Sequence, residues 1–423
     1  MKSVSLQSRD LPGGSPGASR LDRIARRAVR ARLDDIEEGQ VVVTENGRHE
    51  SFGRITDDMP LTAHLSINDP RFYGEIAYGG VIGSGEAYMQ GYWDCDELTT
   101  LVRILLRNRA ALDTMDRGLA KFAAPLRKAL HRLNRNTRRG SRRNIAAHYD
   151  LGNEFYALWL DRRMMYSSAV FESPDMTLEE AGVAKLDRIC RKLRLSPEDH
   201  VLEIGTGWGG FAIYAAQNYG CRVTTTTISR EQYRYAKRAI AAAGLEDQIT
   251  VLARDYRDLS GRYDKLVSIE MVEAVGWQYH DVFFKKCSSL LAEDGEMLLQ
   301  AITIADQQYD RYRRNVDFIR RYIFPGGCLC SITAMCETLT RATDMRVVHA
   351  EDIGPHYATT LRHWRERFVS RLDDVRRLGY SEEFVRMWNF YLCYCEGAFI
   401  EHVIGDVQMH LIKPRARTDV VGF

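Results

Sequence analysis

From about residue 145 onward, short apolar, β-branched runs alternate with stretches of helical periodicity. The runs are HVLEIG (200–205), CRVTTTTIS (221–229), ITVLA (249–253), DKLVSIE (264–270) and GEMLLQAITI (295–304). Such alternation predicts an α/β fold with a doubly wound, mostly parallel sheet. Two weaker runs follow a helical insertion at roughly 306–345, namely MRVVHA and DVQMHLIKP. Seven strands with the last one antiparallel fit this pattern.

The earlier part of the chain has a different texture. Residues 1–19 are rich in Gly, Ser and Pro and are expected to form a disordered tail. RLDRIARRAVRARLDD, from Arg20 to Asp35, is a basic helical stretch. Between about 40 and 110, strand-like runs such as VVVTENG mix with Gly-rich turns and one amphipathic helix. In that helix Leu98, Leu101, Val102, Leu105 and Leu106 fall on one face. From Arg117 to Arg143 the chain is dense in arginine and lysine and carries no acid. This is either a solvated linker or a positive face for anionic lipid or nucleic acid. The expected division is a smaller amino-terminal α+β domain at 20–116, a basic linker at 117–144 and a larger α/β domain at 145–423.

Composition narrows the class. A chain of 423 residues, 45% apolar and 27% charged, has room for two cores and the profile of a folded soluble protein. Its nine cysteines follow no disulfide or zinc spacing, so reduced thiols and no metal are expected. The first twenty residues contain no apolar signal core, and nothing approaches the roughly 18–20 apolar residues of a membrane span.

The most informative stretch is VLEIGTGWGG at 201–210, in which Gly205, Gly207 and Gly210 satisfy G-x-G-x-x-G. A dinucleotide site would add an acid about 20 residues on, for the ribose. Here the second strand ends in TTTTIS with no acid at its tip, whereas Glu203 precedes the first glycine. The E-x-G-x-G arrangement favours S-adenosylmethionine over a nicotinamide cofactor. A tight strand-to-helix turn with no ligand stays open on this evidence alone.

Longer motifs carry a resemblance. HYDLGNEFYALWLD (148–161), MYSSAVFES (165–173), VLEIGTGWGG, VTTTTISREQ, SIEMVEAVG (268–276), DFIRRYIFPGGCL (317–329) and YCEGAFIEHVIGDVQMHLIKP (394–414) resemble, in order, cyclopropane-fatty-acyl-phospholipid synthases. The amino-terminal stretch INDPRFYGEIAYGGVIGSGEAYMQGYWDCDELTTLVRILLRN resembles them too. The resemblance implies a Rossmann-like, seven-stranded class I methyltransferase fold with a lipid-binding amino-terminal domain. It implies S-adenosylmethionine as cofactor and methylene transfer across a cis double bond of a phospholipid acyl chain. It also implies a homodimer working from the cytoplasmic side at the inner face of the membrane, with anionic headgroups rather than nucleic acid facing the basic segment.

The same resemblance assigns residues. Tyr166, Ser167, Gly205, Gly207, Thr227, Ile228, Gln232, Tyr256 and Arg257 match cofactor-binding positions. The base is expected to be a bound bicarbonate, held by Glu273, Tyr322, the backbone of Ile302, and the positions of a cysteine and a histidine. Those two positions depart, being Ser168 and Gln300 here. Both can donate hydrogen bonds to an oxyanion, but glutamine cannot relay a proton as histidine does. A branched acyl chain instead of a ring is therefore the alternative product, and a catalytically dead lipid-surface binder is the third reading. Cys395 matches a cysteine given a catalytic role, against the plainer reading of a buried structural thiol. Tyr166, Trp208, Phe318, Tyr322 and Phe399 are aromatic candidates to face a carbocation, or else core packing. Arg320 and Arg321 are further phosphate candidates.

Overall fold

The computed structural model describes residues 20–109, 141 and 151–417. The tail and nearly all of the basic segment at 117–143 lie outside the described residues. The chain separates into two compact units.

The first unit takes the described residues up to 109 together with 316–321 and 364–403. Its basic helix α1 (Arg20–Leu33) buries Ala25 and Val29 and pairs Arg26 and Arg30 with Glu45 and Glu50. Strands β1 (Gly39–Glu45), β2 (Arg48–Arg54), β3 (Thr62–Ile67) and β4 (Trp93–Cys95) form a sheet in the order β2-β1-β3-β4. Asn46 and Gly47, both at positive φ, make the two-residue turn between β1 and β2. Helices α2 (Arg71–Met89, kinked at Gly80) and α3 (Leu98–Arg107) complete the amino-terminal part.

The helix Glu382–Ile400, which the expected division placed in the larger domain, belongs to this first unit. Its Gly397 lies so close to Val102 that a Cβ there would come within 2.7 Å of the valine. Arg386 donates to the carbonyl of Trp93 at 2.7 Å and pairs with Asp94 at 2.8 Å. Glu396 accepts from Thr99 at 3.1 Å and from Arg365 at 2.7 Å. Buried ion pairs of this kind require a partner at each end, so the helix is tied to α2 and α3 and not only covered by them.

The second unit takes 151–315, 322–363 and 404–417. Its sheet holds β5 (His200–Ile204), β6 (Arg222–Thr226), β7 (Ile249–Leu252), β8 (Tyr263–Ile269), β9 (Leu291–Ile304), β10 (Arg346–Asp352) and β11 (Ile404–Ile412). The order is β10-β11-β9-β8-β5-β6-β7, with β11 antiparallel to both neighbours. Strands buried on both faces read as continuous apolar runs, and successive residues supply opposite faces. Thus Val201, Val267 and Leu298 join the core under helices Leu178–Lys192 and Gly210–Tyr219. Their neighbours Leu202, Leu266 and Leu299 join the core under helices His280–Leu290 and Ile332–Ala342. The seven-stranded expectation, including the antiparallel strand, holds.

Candidate active site

In open α/β sheets ligands bind beyond the carboxyl ends of the strands, where the chain reverses its winding. All nine expected cofactor positions lie in the second unit, and those after β5, β6 and β7 sit at such ends. The loop after β5 turns through Gly205 (φ 108°), Gly207 (φ 53°) and Gly209 (φ 95°). The N–H groups of Gly205 and Thr206 both donate to the carbonyl of Thr226 at 3.1 Å, which ties the loop to β6. A Cβ on Gly207 would meet nothing within 4 Å, so the loop leaves open space there, while one on Gly205 would press on Met271 at 3.2 Å. This cradle fits S-adenosylmethionine.

Glu203, just before the loop, is buried, and its carboxylate accepts from the Thr225 hydroxyl at 2.5 Å. Burial pushes its pKa up to about 8. At the tip of β6, Thr227 donates its hydroxyl to the Gln232 amide oxygen at 2.9 Å, with Ile228 half-buried beside them. After β7, Arg257 stacks 5.5 Å above the Tyr256 ring and is held by Asp255 at 2.6 Å. Ser167 accepts from Lys185 Nζ at 2.7 Å, and Tyr166 stands among Tyr156, Trp159 and Phe324 at ring separations of 5.4–6.1 Å.

The expected catalytic residues divide. Glu273, Gln300, Ile302, Ser168 and Tyr322 lie in the second unit; Cys395 lies in the first. Cys395 is half-buried, and burial and the nearby Asp317 carboxyl raise its pKa, which disfavours the thiolate that reactivity needs. Phe318 and Phe399 likewise fall in the first unit as core, and Trp208 is buried with its indole N–H on Asn153 at 2.6 Å. Tyr166 and Tyr322 keep exposed edges and stay as candidates to face a cation. Arg320 is buried and Arg321 pairs with Glu86 at 2.9 Å, so neither stands ready for a phosphate.

The bicarbonate expectation fails on the donors. Ser168 donates its hydroxyl to the Ala169 carbonyl at 2.9 Å. Gln300 donates its amide hydrogens to Glu270 Oε1 at 2.8 Å and to Asp406 Oδ2 at 2.9 Å, while its oxygen accepts from Gln408 at 3.1 Å. The Ile302 N–H donates to Glu273 Oε1. Three of the groups expected to hold the anion are thus committed within the chain, and the site does not fit bicarbonate.

What the sequence reading missed is a carboxylate cluster. Glu270 takes the Ser168 N–H at 2.8 Å, the Gln300 amide at 2.8 Å and the Tyr357 hydroxyl at 2.7 Å. It also shares a hydrogen bond with Asp406, and the fully buried Lys185 acts on it as a cation. Burial lowers Lys185 to about 8, so it is charged at neutral pH. Burial and the neighbouring Glu270 push Glu273 up to about 8, and its Oε2 is buried without a partner among the described residues. A signal existed: within the motif SIEMVEAVG, Glu270 directly follows β8 and stands three residues before Glu273. Asp406 had none, being a single acid inside a strand pattern.

A seven-stranded sheet with this glycine loop and these carboxyl-end residues defines an S-adenosylmethionine-dependent class I methyltransferase. The chain belongs, more narrowly, to the cyclopropane synthase family: the profile described as mycolic acid cyclopropane synthetase matches residues 136–409. The chain is 38% identical to the tuberculostearic acid methyltransferase of Mycobacterium tuberculosis over 84% of each chain. It is also 38% identical to the cyclopropane-fatty-acyl-phospholipid synthase of Escherichia coli K12, over 80% of this chain and 84% of that one. Among solved structures, the cyclopropane synthase MmaA2 from Mycobacterium tuberculosis is similar, with 31% identity and a TM-score of 0.60, covering 64% of this chain and 98% of that one. A mycolic acid cyclopropane synthase solved with SAH and CTAB is similar at 32% identity and the same TM-score. These enzymes modify lipid acyl chains, and this chain is one of their class.

Proposed function

We propose that the protein methylates a cis double bond in the acyl chain of a membrane phospholipid and releases a methylene-branched chain. The observation that carries this product, over the ring, is Gln300: both of its amide hydrogens are committed and it has no site to take a proton. S-adenosylmethionine, bound at the glycine loop, supplies an electrophilic methyl group. The alkene's electron pair forms the new carbon–carbon bond as the methyl–sulfur bond breaks, its electrons staying on sulfur, and leaves a cation on the neighbouring carbon. Tyr166 and Tyr322 are the aromatic faces suited to meet that charge without trapping it. Fast removal of a proton from the new methyl group closes a ring. Where removal is slower, a hydride moves from the methylated carbon to the cation and produces a tertiary cation. Loss of a methyl proton then yields a methylene branch, C=CH2.

A ring-forming outcome is the second reading, favoured by Glu273, whose lone Oε2 faces no partner and whose pKa near 8 suits proton exchange at neutral pH. Relatives named as methyltransferases and as a cyclopropane synthase stand at equal identity, so their names do not separate the two. On either reading the substrate lies in a bilayer. No described helix is long and apolar enough to cross one. We therefore place the protein at the membrane surface, drawn there by the basic residues of 117–143 at about 1 kcal/mol each. Incubation with dioleoyl phosphatidylglycerol vesicles and S-adenosylmethionine, followed by mass spectrometry and NMR of the fatty acids, tests the proposal. A gain of one CH2 with terminal =CH2 protons supports it; cyclopropane protons would overturn the product, and no gain would overturn the activity.

A further inference from the structure

Glu270 is unusual in two independent ways. Its backbone lies at φ 46°, in the left-handed region that side chains other than glycine enter at a cost of about 1 kcal/mol. Such strain persists only where the surroundings over-determine it, and it gathers at functional sites. Its carboxylate is also the point on which the donors of two catalytic positions converge: the Ser168 N–H and the Gln300 amide, each at 2.8 Å. A carboxylate so placed does the work of an external anion without needing one from solution.

We propose that Glu270 is the proton acceptor of the reaction, built into the chain and held by groups that would otherwise hold a diffusible base. This rests on the reading of the protein as an acyl-chain methyltransferase. In the final step a C–H bond of the branch methyl breaks and the proton passes to a Glu270 carboxylate oxygen. The C–H electron pair becomes the new C=C bond, which discharges the cation. Burial and the neighbouring Glu273 carboxyl work against its anionic form and push its proton affinity up, while four groups support the anion during the wait. Ser168, Gln300 and Tyr357 donate to it, Lys185 brings a positive charge, and Asp406, whose own pKa burial drives well up, keeps the proton the pair shares. Those same donors make it a weaker base than a free anion, which gives the hydride shift time to occur.

The geometry predicts how two variants differ. Glu270→Gly relieves the backbone and vacates the space where the donors converge, so added bicarbonate can enter; Glu270→Gln fills that space with a group that accepts no proton. Turnover on dioleoyl phosphatidylglycerol vesicles should not respond to bicarbonate in the wild type. It should fall at least about 100-fold in both variants, the usual size of a lost general base. Millimolar bicarbonate should restore Glu270→Gly and leave Glu270→Gln inactive. Carbon-13 NMR of labelled bicarbonate should show line broadening with Glu270→Gly and none with the wild type, independently of turnover. Circular dichroism and S-adenosylhomocysteine binding confirm that each variant is folded. A wild type that needs bicarbonate, or a Glu270→Gln variant of full activity, would overturn this assignment. Absence of any lipid product from the wild type would instead overturn the underlying activity.

Discussion

Replacing Glu203 by glutamine should stabilise the second unit, and by an amount that depends on pH. The buried carboxyl accepts from the Thr225 hydroxyl, and burial raises its pKa from 4.5 to about 8. In the unfolded chain the group loses its proton near its ordinary value, while the fold holds it until about 8. The unfolded state therefore binds fewer protons across that window, and stability falls as pH rises from about 4.5 to about 8. Between about pH 5 and pH 7.5 the cost accumulates to about 3 kcal/mol, from a little over two pKa units at 1.36 kcal/mol each. Glutamine keeps the acceptor for Thr225 and has no proton to lose. Urea denaturation of cofactor-free protein, wild type against Glu203→Gln, should thus show curves that nearly agree at the acid end and separate by about 3 kcal/mol toward neutral pH. A difference that stays constant with pH would refute the burial argument for Glu203.

Two further outcomes follow from the site. Gln300→His places a protonatable ring between Glu270 and Asp406, and should raise the fraction of cyclopropane among the products; gas chromatography of the methyl esters reads this directly, and an unchanged distribution counts against Gln300 as the determinant. Cys395→Ala should keep turnover within about twofold of wild type, since its half-buried thiol is held protonated; a loss of two orders of magnitude with the fold intact would place the residue in the chemistry.

The central strands were legible because parallel strands covered on both faces are written in apolar, β-branched residues, as in HVLEI and DKLVSI. The loop cofactor was legible because Glu203 and the acid-free TTTTIS qualify an otherwise weak glycine pattern. The domain boundary was not, because the partner of the helix Glu382–Ile400 is set by contacts nearly three hundred residues away, such as Arg386 with Asp94. Periodicity shows that a helix has an apolar face and not what covers it. What Ser168 and Gln300 donate to was not legible, for a related reason. Their donor capacity was plain, but its direction depends on Glu270, Asp406 and Gln408, and the last two come from β11. Buried polar residues on that strand interrupt its apolar pattern while completing the network beneath the site.

The most direct test of the account is the fatty-acid profile of a host making this protein, set against the same host with an empty vector. The prediction is new acyl chains heavier by one CH2 than their unsaturated precursors, with =CH2 protons of a methylene branch in the NMR spectrum. Profiles identical in the two hosts would contradict methyl transfer to acyl chains, and cyclopropane protons in place of =CH2 ones would contradict the branched product.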